Sequence, residues 1–225
     1  MDGSLSAAVS PGQPVDVPGF DFAAGNAALH EAEPRDVAAW ALERAQRPVV
    51  STNFRPLAAG LLHMLTSIKP DIPVIWVDSG YNTESTYRFA ETLIEQLKLN
   101  IHVYTPRLTA ARRAAIHGGI PSLEDEAAHS AFTREVKLEP FERALTELSP
   151  DAWFTGIRRD QTEYRKTLDV LSAGPHGITR VAPMFYWTEV DLEGYVYEHD
   201  LPDNEDYYDP TKVNDDRECG LQTLS

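Results

Sequence analysis

Residues 73–104 read PVIWVDSGYNTESTYRFAETLIEQLKLNIHVY. PVIWV is an apolar run of strand length, residues 83–97 form a helical stretch, and NIHVYT is strand-like again. Strand, helix and strand in about thirty residues make a right-handed βαβ unit. The same rhythm continues in both directions. Upstream, PRDVAAWALERA opens on Pro34, a residue suited to a first helical turn, RPVVST reads as a short buried strand, and a helix is expected near residues 57–68. Downstream, LEPFERALTEL is helical with Pro140 near its start, DAWFTG and ITRVAP are strands, and WTEVDLEGYVYEH is an amphipathic helix. Residues 108–137 read as a helical excursion interrupted at HGGIPS. The expected fold class is α/β, a mostly parallel sheet flanked by helices on both faces.

The totals bound what this fold can do. A chain of 225 residues, 42% apolar and 24% charged, suits one domain with a sizeable core. Residues 1–25 are rich in Pro, Gly, Ala and Ser without periodicity and read as a flexible leader. Residues 26–202 read as the α/β domain, and 203–225 as a mobile acidic C-terminal segment. Across residues 189–218, 12 carboxylates face only Lys212 and Arg217. The formal charge of −15 disfavours nonspecific attraction to nucleic acid or an anionic membrane, so an anionic ligand needs a local basic pocket. No apolar run approaches a membrane span and no secretory signal is evident. One cysteine allows no intrachain disulfide, which suits a reducing cytoplasmic location. The seven histidines show no metal-ligand spacing, so no metal site is expected.

Ligands of open parallel sheets bind beyond the carboxyl ends of the strands. After RPVV come Ser51, Thr52 and Asn53, which can cap a helix or offer an anion the positive helix end. Asp78 and Gly80 follow PVIWV and suit a tight turn as well as a ligand contact. Arg158, Arg159 and Arg165 lie within eight residues after DAWFTG. Their planar donors match phosphate or sulfate oxygens, although a solvated charged loop would look the same. Lys137 is a further candidate cation. Tyr207 and Tyr208 read as residues that pack the tail. Cys219 sits in the polar stretch RECGLQ, where a thiol has no core to serve. Arg217 favours its thiolate and Glu218 disfavours it, so an activated resting nucleophile is not indicated.

Several stretches together resemble the assimilatory phosphoadenylyl-sulfate (PAPS) reductases: VVSTNFRPLAAGLLHM, IKPDIPVIWVDSGYNTESTYRF, VKLEPFERALTEL, WFTGIRRDQTEYRKTLDVL, RVAPMFYWTEVDLEGYVYEHDLP and RECGLQ. The likeness spans residues 49–221, and GIRRDQ and ECGL are its most specific pieces. It implies an adenine nucleotide alpha hydrolase-like fold, PAPS as substrate and no bound cofactor. By position it implies Cys219 as the nucleophile that takes the sulfonate, with thioredoxin or glutaredoxin as the partner and electron donor that frees sulfite. It places Ser51, Thr52 and Asn53 on a phosphate-facing loop, Asp78 and Gly80 on an adenosine-side loop, and Lys137, Arg158, Arg159 and Arg165 on anion contacts. Members of the family are often homodimers; the sequence itself does not fix the oligomeric state.

Three departures qualify the resemblance. Arg55 and Pro56 follow Phe54 where the family usually has glycine, so a long side chain either narrows that loop or adds an anion contact. Residues 203–216 are short and acidic where many relatives carry a Ser-, Gly- and Asp-rich stretch. Gln222 replaces a histidine after ECGL. The cysteine pairs of iron-sulfur relatives are absent from the sequence. The alternatives to PAPS reduction are a cluster-free adenylyl-sulfate reductase, a nucleotidyl-transfer relative and a noncatalytic nucleotide binder.

Overall fold

Among residues 19–211, which a computed structural model describes, six strands pair into one sheet: β1 (Pro48–Thr52), β2 (Pro73–Val77), β3 (Asn100–Tyr104), β4 (Ala152–Phe154), β5 (Leu171–Ala173) and β6 (Thr179–Val181). Their order is β3-β2-β1-β4-β6-β5, with every neighbouring pair parallel except β5 against β6. The helices are α1 (Phe22–Leu29), α2 (Pro34–Arg44), α3 (Ala58–Ile68), α4 (Glu84–Leu97), α5 (Ala110–His117), α6 (Glu126–Thr133), α7 (Glu139–Leu148) and α8 (Glu189–Glu198). The expected mostly parallel α/β architecture is the observed one.

The period of two along each strand sorts adjacent residues onto opposite faces, so both must be apolar where both faces are covered. Val50, Val74 and Phe154 join the larger core beside α2, α3 and α4, which includes Val37, Leu62, Leu65 and Phe89. Their chain neighbours Val49, Ile75 and Trp153 face the other way, onto Phe141, Ala144 and Leu145 of α7. Those three lie at helical spacings i, i+3 and i+4, which makes one apolar stripe. Thr83 caps α4 by accepting from the Thr86 N–H at 3.0 Å, and Thr188 and Asp191 form a reciprocal capping box at the start of α8.

The chain moves outward from β1 through β2 to β3, then returns to place β4 on the other side of β1. That reversal opens a crevice at the carboxyl ends of β1 and β4. Between α6 and α7 runs a wide π-helical turn, Arg134–Leu138, which carries Lys137; such turns recur at functional sites.

Two parts of the architecture differ from the reading of the sequence. The boundary expected between residues 25 and 26 falls inside α1. Gly25 sits in close approach rather than in a flexible leader: a Cβ there would lie 2.6 Å from Leu171 Cδ1 and 3.2 Å from Trp40 Cη2. Asn26 then pairs with the Leu171 backbone in both directions, donating to its carbonyl at 2.9 Å and accepting from its N–H at 2.8 Å. The second difference is β5 itself, an antiparallel edge strand of three residues, too short to show a period. No helix among the described residues is long and apolar enough to cross a membrane.

Candidate functional site

β1 ends in Ser51 and Thr52, and the loop that follows is held by their side chains and by Asn53. Ser51 Oγ accepts from Trp153 Nε1 at 2.8 Å, which ties β1 to β4. Thr52 Oγ1 accepts from the Phe54 N–H at 3.1 Å. Phe54 and Leu57 both adopt left-handed backbone, with φ of 51° and 63°. Bulky residues rarely do so, at a cost of about 1–3 kcal/mol each, and they persist where packing over-determines them. Phe54 is 0% exposed and packs edge-on against Trp76 at 4.9 Å, which supplies that determination.

This loop forms one wall of a cleft at the β1/β4 crevice, with about 950 Å³ of empty space counting its open mouth. Ser51, Thr52, Asn53, Lys137 and Arg165 line it, so five of the expected site residues are brought together. Leu61, Leu62, Met184 and Leu192 add an apolar wall. Arg55 also lines the cleft, with its Nη2 donating to the Gly156 carbonyl at 3.2 Å. The long side chain in place of glycine thus reaches across to the β4 loop. Arg165 is buried, and its guanidinium donates to Gln161 Oε1.

The other expected residues stand outside the cleft lining. Asp78 Oδ1 accepts from the Gly80 N–H at 2.9 Å, Asn82 Nδ2 at 2.9 Å and the Tyr87 hydroxyl at 2.8 Å. It organises a turn beyond β2, and Gly80 there has φ of 80°, which suits glycine. Burial together with the Asp78 carboxylate pushes the Tyr87 hydroxyl up to about 12. Arg158 is buried, with Nη2 on Glu189 Oε2 at 2.9 Å and Nε 3.3 Å from Asp160 Oδ1. Arg159 is exposed, and its N–H donates to the Phe185 carbonyl at 2.8 Å. The run GIRRDQTEYR therefore divides: Arg165 turns to the cleft, Arg158 to α8 and Arg159 to solvent. Cys219 lies outside the described residues.

Residues 203–211 lie across the carboxyl edge of the sheet as a strap. The Leu57 N–H, at the start of α3, donates to Asp203 Oδ1 at 2.6 Å, a carboxylate at the positive helix end. Asn204 is 1% exposed and donates to the Phe54 carbonyl at 2.8 Å and to Thr86 Oγ1 at 2.9 Å. Thr83 Oγ1 donates to the Asp206 carbonyl at 2.6 Å, and Asn53 Nδ2 to the Tyr207 hydroxyl at 2.7 Å. Lys137 Nζ donates to Asp209 Oδ2 at 2.6 Å and to Thr211 Oγ1 at 3.0 Å. Both partners of that ion pair are buried, at 9% and 8% side-chain exposure. Burial raises the Asp209 carboxyl, but Lys137 and the Thr211 donors outweigh it and hold it below the usual carboxylate range.

Tyr207 and Asp209 line the cleft, and the sequence reading did not foresee either role. Asp209 shows in the sequence only as acidic composition and Tyr207 only as a residue packing the tail, because their partners Lys137 and Asn53 lie far away in the chain. Thr155, at the end of β4, was also missed; it lines the cleft and is 2% exposed. Among the described residues, no group of three or more His, Cys, Asp or Glu is placed to hold a metal ion.

Comparison with known proteins bears on this geometry. Residues 47–209 match the family model described as the phosphoadenosine phosphosulfate reductase domain. The chain is 37% identical over 178 residues to the phosphoadenosine 5'-phosphosulfate reductase of Synechococcus sp., covering 79% of this chain and 76% of that protein. It is 42% identical over 164 residues to the enzyme of the same name from Xylella fastidiosa, covering 72% and 68%. Among solved structures, the PAPS reductase of Candida auris in a phosphate complex superposes with a TM-score of 0.70 at 26% identity, covering 80% of this chain and 86% of that one. The FMN adenylyltransferase of Candida glabrata with FAD and pyrophosphate superposes at 0.56 and 13% identity over 76% and 57%, a likeness of fold alone. With a family model that spans most of the chain and relatives this similar over more than two thirds of both lengths, the chain belongs to the phosphoadenosine phosphosulfate reductase domain family.

Proposed function

We propose that this protein reduces 3'-phosphoadenylyl sulfate to sulfite and adenosine 3',5'-bisphosphate, with Cys219 as the nucleophile and a thioredoxin or glutaredoxin as electron donor. The observation that carries the reading is the cleft at the β1/β4 crevice. There Ser51, Thr52, Asn53, Lys137 and Arg165 converge beside an apolar wall, in a chain whose overall charge repels anions. Cations and hydroxyls suit the phosphosulfate, and the apolar wall suits an adenine ring. Asp78 and Gly80, in the turn beyond the neighbouring strand, are assigned to the adenosine side. Arg158 and Arg159 are assigned indirect roles, through the turn that presents Arg165.

In this reaction the Cys219 thiolate attacks the sulfate sulfur. A sulfur–sulfur bond forms and the sulfur–oxygen bond to the phosphate breaks, with its electron pair leaving on the bisphosphate. A donor thiolate then attacks Cys219 Sγ and expels sulfite, and the donor's second thiol resolves the mixed disulfide and restores Cys219. The two electrons come from the donor dithiol. Positioning supports this assignment. Thr211 is anchored on Lys137 and stands eight residues before Cys219, a reach of at most about 28 Å for an extended chain. A cleft that holds the sulfate still and a tethered thiol together raise the effective concentration of the nucleophile.

The test is sulfite release from PAPS with reduced thioredoxin. Wild-type protein is expected to release sulfite and Cys219→Ser to release none. With thioredoxin omitted, mass spectrometry should find one SO₃ group on Cys219. Full activity in Cys219→Ser would refute the assignment.

A further inference from the structure

Four charged side chains line the cleft among the described residues: Arg55, Lys137 and Arg165 are cations, and Asp209 is the one anion. A site meant for an anion gains nothing from a carboxylate unless that carboxylate limits what binds. Asp209 is not there by loose contact. The strap that carries it is pinned at Asp203, Asn204, Asp206 and Tyr207, and the Pro210 carbonyl lies 3.2 Å from His129 Nε2. Its own Oδ1 accepts from the Thr211 N–H at 3.0 Å and hydroxyl at 2.6 Å, which leaves Oδ2 directed at Lys137.

We propose that Asp209 is a specificity-determining residue: by occupying Lys137 inside the cleft it limits the negative charge the site accepts, and so sets the preference between adenine nucleotides that differ by one phosphate. The proposal rests on the reading that the cleft binds an adenylyl sulfate. The physical step is Coulombic. Removing a unit charge about 7 Å from a ligand group, at an effective permittivity between protein and water, changes the binding of each ligand charge by roughly five- to tenfold. A ligand with an additional phosphate feels more of that change.

The experiment measures binding of adenosine 3',5'-bisphosphate and adenosine 5'-monophosphate by calorimetry to the full chain, to Asp209→Asn and to Thr211→Val. In Asp209→Asn the ratio of bisphosphate to monophosphate affinity is expected to rise roughly ten- to a hundredfold, because the additional phosphate carries about −1.5 to −2 charge near neutral pH. Thr211→Val, which loosens the strap's end but keeps the charge, is expected to leave that ratio within about twofold of wild type. If Asp209→Asn does not fold, as judged by circular dichroism, Asp209→Ala carries the same expectation. An unchanged or lowered ratio with both nucleotides still bound would overturn the proposal while leaving the proposed function standing, and so would an equal rise in Thr211→Val. Failure of the wild-type chain to bind either nucleotide would overturn the proposed function, and this inference with it.

Discussion

Asn204 is the pin on which the strap turns, and Asn204→Ala tests whether the strap belongs to the ligand site. Its amide is 1% exposed and donates to the Phe54 carbonyl at 2.8 Å and to Thr86 Oγ1 at 2.9 Å. A buried hydrogen bond contributes about 1 kcal/mol net, and an acceptor left without a partner costs about 1–3 kcal/mol. The Phe54 carbonyl belongs to a residue with left-handed backbone, so it has little freedom to turn towards water. The sum is about 2–4 kcal/mol against strap docking. The loss is expected to be local, because strap and core share no strand pairing. Hydrogen exchange should therefore accelerate by about 30- to 1000-fold at the strap amide of Thr211, which does not bond to Asn204, while the Val50 amide stays as it was. Because Tyr207 and Asp209 line the cleft, nucleotide affinity should change as well. Unaltered exchange at residues 203–211, or a docked strap lost with no change in affinity, would refute the reasoning.

Three further outcomes follow from the same geometry. Arg165→Ala should weaken nucleotide binding by roughly tenfold or more, and Arg159→Ala by much less, because only Arg165 lines the cleft; titration calorimetry separates them. Phe141→Ala should destabilise the fold by about 3–4 kcal/mol, read in urea unfolding, since its fully buried ring packs on Trp153 at 4.9 Å where α7 covers the second face of the sheet. The Asp209 carboxyl is held below its usual value of 3.8, so its contribution to strap docking is full above that pH and is lost as pH falls below it. Exchange at the Thr211 amide should thus show constant protection, after correction for intrinsic rates, from pH 7 to pH 5. Loss of protection within that interval would show that a different group holds the strap.

The strands and most of the helices are legible in the sequence because their evidence is local. PVIWV, RPVVST and NIHVYT are apolar runs of strand length, and the stretches between them repeat at helical spacing. The cleft was legible in part, through residues that follow strands: Ser51, Thr52 and Asn53 had to lie at the carboxyl end of β1 once β1 was a parallel strand. Lys137 and Arg165 are expected anion contacts and both line the cleft, but nothing in GIRRDQTEYR distinguishes Arg165 from Arg158. That division involves Glu189, 31 residues away on α8, which binds Arg158, whereas Arg165 lines the cleft.

Gly25 shows the opposite error. Composition placed it in a leader, whereas close approach to Leu171 and Trp40 is what requires a residue without a side chain. The sequence by itself determined the parallel α/β sheet, the end of it at which the cleft opens and the family resemblance, since periodicity and motif order are properties of neighbouring residues. Only the tertiary structure decided that Asp209 meets Lys137 across 72 residues and that one arginine of three reaches the cleft. The reason is physical: a charged side chain has no preferred partner along the chain, and packing alone chooses which opposite charge it meets.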